Sequence, residues 1–99
     1  MKFTNPFDFE ATLWKAGGNS GWHFVSIPIA LSQEIRHLFQ KEEEGWGRLP
    51  VMALIRDTSW DTAIWFDTKN NTYLLPIKSE IRKKENISVG TIEKITIKI

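Results

Sequence analysis

Phe7, Phe9, Ala11 and Leu13 alternate with Asp8, Glu10, Thr12 and Trp14, and a period of two predicts a half-buried strand. Gly17-Gly18-Asn19-Ser20-Gly21 interrupts the alternation with glycines that reach positive φ at no steric cost. Trp22 to Ile27 reads as a second strand ended by Pro28, so the pair is expected to form a hairpin with a loop of about five to seven residues. The period then changes. Leu31, Ile35, Leu38 and Phe39 fall at i, i+4, i+7 and i+8, one apolar stripe on a helix from about Ala30 to Glu43. Gly45 and Gly47 are its stop signals. Glu42-Glu43-Glu44 opposes the helix dipole, and that end is expected to fray.

The second half repeats the alternation. Leu49 to Ile55 is strand-like with Pro50 near its start. Arg56-Asp57-Thr58-Ser59 reads as a polar turn. Trp60 to Phe66 is the next strand, with Thr62, Ile64 and Phe66 on one face and Ala63 and Trp65 on the other. Asn70-Asn71 marks a turn that uses asparagine's tolerance of left-handed φ. Thr72 to Leu75 is a strand closed by Pro76, and a short helix follows from about Lys78 to Glu85, with Ile77, Ile81 and Ile87 inward. After Gly90, Ile95, Ile97 and Ile99 alternate with Thr96 and Lys98 in a final strand. Ile92 is out of phase with that set, which predicts a bulge or twist near Glu93-Lys94.

The order is therefore β-β-α-β followed by β-β-α-β. Ile27-Pro28 precedes Glu34-Ile35-Arg36, and Leu75-Pro76 precedes Glu80-Ile81-Arg82. In each half a strand meets a proline that removes an amide donor, whose fixed φ also suits the opening of a helix. The reading is one domain over residues 1–99, mainly β with two short helices, built from pseudo-repeats at about 7–55 and 60–99.

Leu75-Pro76-Ile77-Lys78-Ser79-Glu80-Ile81-Arg82-Lys83-Lys84, with Ile87 and Gly90, resembles the strand–proline–helix signature of AbrB-type regulators and MazE-type antitoxins. In those proteins two short chains complete one double-split β-barrel. Across most of its length the chain is similar to the domain-of-unknown-function family 1905. The similarity lies in Phe9-Glu10-Ala11, Trp22-His23-Phe24-Val25-Ser26-Ile27-Pro28, Trp60-Asp61-Thr62-Ala63-Ile64 and Tyr73-Leu74-Leu75-Pro76, with Arg82 and Gly90. The resemblance implies a six-stranded double-split barrel capped by helices, both halves in one chain, in a bacterial or archaeal family with no firmly assigned activity. Gly90-Thr91 stands where the family has Gly-Asp, Ile92 and Glu93 are exchanged, and Asn71 replaces a usual glycine.

Composition narrows the chemistry. The 99 residues contain no cysteine, which excludes disulfides, thiol catalysis and thiolate metal sites. A net charge of +1 excludes a strong global pull toward nucleic acid or anionic membrane. Residues 78–99 nevertheless hold six basic and three acidic side chains, an excess that a solvated helix and a lysine-guarded edge account for. His23 and His37 fall in no metal-binding or catalytic spacing. Asp57, Asp61 and Asp67 suit turns and exposed strand positions better than acid–base work. Asp67 to Asn71 begins like a calcium loop but lacks its glycine and has Lys78 where the glutamate belongs. No metal or cofactor is expected.

Five tryptophans are a surplus, since roughly one or two would be typical at this length. They fill a small barrel or wall a concave ligand site oriented by a few polar groups. The candidate ligand residues are Trp22, Trp60, Tyr73 and Arg82. The leading expectation is a small non-enzymatic binding or interaction module for an unknown small molecule or protein. The alternative, by fold analogy with AbrB and MazE, is a nucleic-acid-binding regulator or antitoxin-like protein using Lys78, Arg82 and Lys83. Specific nucleic-acid binding is not expected, because Lys83 and Lys84 diverge by about 100° on a helix and no aromatic interleaves the basic residues. Met1 to Glu10 has no apolar leader core and no apolar run approaches the roughly 20 residues that span a bilayer. The expectation is a cytoplasmic protein without a membrane partner, a monomer or a dimer formed through outer surfaces.

Overall fold

Strands β1 (Pro6–Lys15) and β2 (His23–Ser26), helix α1 (Ile29–Phe39), strands β3 (Arg48–Ile55), β4 (Thr58–Asp67) and β5 (Thr72–Pro76), helix α2 (Ser79–Lys84) and strand β6 (Ile92–Lys98) follow one another. They belong to a computed structural model that describes residues 3–19 and 21–99. Ser20 of the glycine-rich loop, and Met1 and Lys2 of the segment read for a leader, lie outside the described residues. Short 3-10 turns at Gln40–Glu42 and Gly45–Gly47 connect α1 to β3.

The strands close into an antiparallel barrel in the order β1-β2-β5-β4-β3-β6. The ring keeps this order when β1 is exchanged with β4, β2 with β5 and β3 with β6. Alternation sends Phe9 and Leu13 of β1, Val51, Ala53 and Ile55 of β3, and Ile95 and Ile97 of β6 to the interior, where Ile35 of α1 and Ile81 of α2 join the same cluster. Burying such side chains contributes about 1.5–3 kcal/mol each.

Two strands change partners along their length. β1 pairs with β6 from Pro6 to Thr12 and with β2 only from Leu13 to Lys15. β4 pairs with β3 from Thr58 to Trp65 and with β5 only from Trp65 to Asp67. Among the described residues, each therefore has a stretch where no strand covers its second edge. Pro50 sits in a comparable stretch of β3, because β6 pairs with β3 only from Met52 onward. A residue without an amide donor is tolerated there.

Four local expectations change. β6 has no bulge: its register against β1 runs unbroken from Ile92 opposite Thr12 to Lys98 opposite Pro6. The strand keeps its alternation by turning Ile92 out to 69% exposure and Glu93 inward. Inside, Glu93 receives Arg56 at 3.2 Å, so an ion pair stands where an apolar contact was expected. The α1 stripe is rotated as well. Ser32 and Ile35 are buried and Phe39 packs on the core, whereas Leu38 is 55% exposed. Ser32 is buried because its hydroxyl donates to the Ile27 carbonyl at 3.1 Å and accepts the Tyr73 amide at 3.0 Å. This bridge ties α1 to β5 and leaves no unsatisfied polar atom.

The acidic end of α1 does not simply fray. It tightens into the Gln40–Glu42 turn, Glu43 turns toward Tyr73 and Arg36, and Glu44 pairs with Arg48. Finally, the β3–β4 turn is two residues, Arg56-Asp57, because Thr58 already pairs with Ile55. Arg56 takes the positive φ of 53° that so short a hairpin turn requires. Gly47 shows the opposite constraint. Its φ is 74°, and a Cβ there would come within 3.2 Å of the Phe66 side chain.

Candidate functional site

The uncovered edge of β4 opens onto a groove of about 530 Å³. Its floor is Trp60, Asp61 and Thr62, three consecutive residues of β4, with Trp65 beyond them. Consecutive residues of a strand point to opposite faces, so all three can line one groove only because it runs along the strand edge. The second wall is Gly21-Trp22-His23, entering β2. The third runs from Pro76 through Lys78 and Ser79 into Arg82 on α2.

Each wall is held by its neighbours. Trp22 stacks on Phe24 at 5.9 Å with the rings 9° from parallel, and Phe24 in turn meets Trp14 at 5.2 Å. The Trp14 indole N–H donates to Ser26 Oγ at 3.0 Å. His23 is placed with Nδ1 2.8 Å from the Gly21 carbonyl, a contact that fixes the loop entering β2. Trp60 packs against the core cluster. The Arg82 Nε–H donates to the Ile77 carbonyl at 3.1 Å, which fixes one of the guanidinium's five donors. Trp65 also borders a second, almost wholly apolar depression with Trp22, Phe24 and Leu74.

Three of the four candidate ligand residues, Trp22, Trp60 and Arg82, thus meet at one groove. Tyr73 does not. It is fully buried inside the barrel, with its ring edge-on to Phe66 at 5.0 Å and its hydroxyl donating to Glu43. Burial, reinforced by the Glu43 carboxylate, pushes the Tyr73 hydroxyl far above the usual tyrosine range, while Arg36 pulls weakly the other way. It shares the inner face with Leu75, two residues on. Trp65 and Lys78 line the groove but were not among the candidate ligand residues. Trp65 belongs to the same tryptophan surplus and sits where β4 begins to pair with β5, at the end of the open stretch.

Of the three residues considered for nucleic acid, Lys78 and Arg82 border the groove and Lys83 does not. Lys78 is engaged with Glu80 at 3.0 Å on the surface. Among the described residues, no three His, Cys, Asp or Glu side chains gather where they could hold a metal ion. No helix among them is long and apolar enough to cross a membrane.

No curated protein matches the chain. A family model described as Domain of unknown function (DUF1905) matches residues 9–97, most of the length and nearly the whole barrel, and the chain belongs to that family.

Proposed function

We propose that this chain is a small, non-enzymatic binding module of the prokaryotic cytoplasm whose ligand occupies the groove between β4, the entry to β2, and α2. One observation carries the reading: a strand edge left uncovered in a closed barrel is lined by Trp22, Trp60 and Trp65 with polar groups at its rim. Concave sites of roughly 300–1,000 Å³ with aromatic walls and a few placed polar groups suit small molecules. The walls are braced by stacking and core packing, so the ligand meets a preformed surface and loses little affinity to ordering it. The two similar halves are read here as a duplication, supported by a ring order that survives their exchange.

A regulator of the AbrB or MazE kind needs a basic face, and this site supplies little of one. Lys78 is neutralised by Glu80, and Asp61 lies in the floor. A thermal-shift screen of metabolites tests the proposal, because a ligand that binds only the folded state raises the melting temperature by mass action. A hit is expected to lose its shift in Trp60→Ala. A hit that binds Trp60→Ala and the parent protein equally would place the site elsewhere.

A further inference from the structure

The groove carries more than apolar walls. The chain has four arginines, and three of them are matched to carboxylates: Arg36 to Glu43, Arg48 to Glu44, and Arg56 to Glu85 and Glu93. Among the described residues, Arg82 forms no ion pair. It is half-buried in the groove wall, anchored through Nε to the Ile77 carbonyl. A guanidinium held at Nε keeps its two terminal nitrogens in a planar fork that fits a carboxylate or phosphate with two parallel hydrogen bonds. Lys78 stands on the same wall and adds positive charge, though Glu80 offsets much of it. Across the groove are the indoles of Trp60, Trp65 and Trp22, flat faces that take another ring by offset or edge-on packing.

We infer that the ligand is a planar aromatic anion, an aryl carboxylate or aryl phosphate, with its anionic group on the Arg82 fork and its ring against the groove tryptophans. The inference rests on the groove being the binding site and specifies the chemistry it selects. Neither part of the ligand suffices. Inorganic phosphate has no ring to bury, and a neutral ring leaves Arg82 facing water. A cationic ring brings its charge to the wall that holds Arg82, and Asp61, exposed on β4, is the one carboxylate among the lining residues.

The test is a titration of the full chain with four probes: indole-3-carboxylate, 3-indoxyl phosphate, neutral indole and tryptamine, with inorganic phosphate as the ringless control. Tryptophan indole N–H resonances are followed by NMR. The expected result is saturable movement of the Trp22, Trp60 and Trp65 signals with indole-3-carboxylate or 3-indoxyl phosphate. Affinity should be at least tenfold weaker for indole, tryptamine and inorganic phosphate. Which of the two anions binds tighter separates carboxylate from phosphate as the natural group. Arg82→Gln should weaken the anionic probe at least tenfold, and Arg82→Lys should recover part of it. Because the wild-type probe series already compares charge at constant ring size, the conclusion does not depend on Arg82→Gln folding well. Equal or tighter binding of indole or tryptamine at these tryptophans would overturn the anion inference while keeping the groove as a site. Absence of saturable movement with every probe would overturn it as well. A metabolite screen that also produced no shift sensitive to Trp60→Ala would remove the groove itself.

Discussion

The two helix–barrel corners use the same sequence positions for opposite ends. In the first, Ile35 is buried, Arg36 follows it, and Phe39 comes four residues later; in the second, Ile81, Arg82 and Glu85 take those places. Phe39 reaches Phe7 on β1, edge-on at 6.1 Å. Arg36 lies 3.8 Å over the Phe66 ring and pairs with Glu43. Helix α1 has 11 residues, so its last turn reaches β1 through Phe39 while Arg36 and Glu43 sit against Phe66 of β4 and Tyr73 of β5. Helix α2 has six residues. Glu85 reaches Thr58 at the start of β4 and Arg56 in the turn before it, so among the described residues no strand covers the second edge of β4 from Trp60 to Thr62 and Arg82 forms no ion pair. Both corners bury an isoleucine, but the first closes its arginine into an ion pair and the second carries the proposed ligand groove, and a handful of side chains makes the difference.

The sharpest way to break this comparison is to empty both corners. Ile35→Ala should cost about 3–4 kcal/mol, because close packing around α1 leaves a cavity that cannot collapse. Ile81→Ala should fall near 2 kcal/mol, since α2 is short and borders a groove into which it can relax. Urea denaturation monitored by tryptophan fluorescence measures both. If Ile81→Ala proves the more damaging, α2 is the stabilising corner and the groove is incidental.

The plan of this barrel is legible in the chain, and the corners are not. Period-two runs ended by Pro28 and Pro76 place the strands, and Ile35 and Ile81 place the helices, because those signals are local. Rotation of the α1 stripe was hidden because Leu38 satisfies helical spacing as well as Phe39 does. What turned the helix was Ser32 bridging to Tyr73, 41 residues away. Glu93 reads as a phase error in β6 until Arg56 is seen across the barrel end. Trp22, Trp60 and Arg82 stood out by composition and charge; Trp65 belongs to the same tryptophan surplus, and its place in the groove comes from the tertiary fold. Tyr73 was drawn to the site by its polar hydroxyl, which is in fact satisfied by Glu43 inside the fold.

The pair between the exposed Arg56 and the buried Glu93 gives the next test. Arg56→Ala removes the cation from Glu93, whose side chain is only 8% exposed. Breaking one side of a buried pair is strongly destabilising, but Arg56 is half in solvent and screening reduces the effect. A loss of about 1–2 kcal/mol is expected. Adding Glu93→Ile should recover most of it, because a well-packed apolar residue can replace a buried pair at little or no cost. A double variant no more stable than Arg56→Ala would show that the exchange of Ile92 and Glu93 serves something besides packing.

Tyr73 sharpens the filled corner through pH. It is the only tyrosine, so absorbance of tyrosinate reports on it alone. Below pH 10 the hydroxyl is protonated in folded and unfolded chains, and it contributes no pH dependence. Above pH 10 the unfolded chain releases this proton while the folded chain holds it, so the unfolded state binds fewer protons and stability falls as pH rises. The slope from this group is about 1.4 kcal/mol per pH unit. Tyr73→Phe should flatten the alkaline loss by that amount, and tyrosinate in the parent protein should appear only with unfolding. Ionisation of Tyr73 in the intact barrel would mean that the corner opens to water.

The smallest expected effect comes from the one tryptophan that neither corner uses. Trp46 is 96% exposed and holds a left-handed backbone with φ of 64°. An ordinary L-residue in that conformation costs roughly 1–2 kcal/mol, and an indole that touches so little recovers almost none of it by burial. Asparagine tolerates the same backbone, and unlike glycine it adds little freedom to the unfolded chain. Trp46→Asn should therefore stabilise the fold by up to about 1 kcal/mol, read as a rise of roughly 4–8 °C in Tm. The binding of an aromatic anion should not change, because Trp46 does not line the groove. A variant that gains stability and loses ligand affinity would move the site boundary to Trp46, beside the first corner. The division between the two corners would then have to be redrawn to include the Gly45–Gly47 turn that leads into β3.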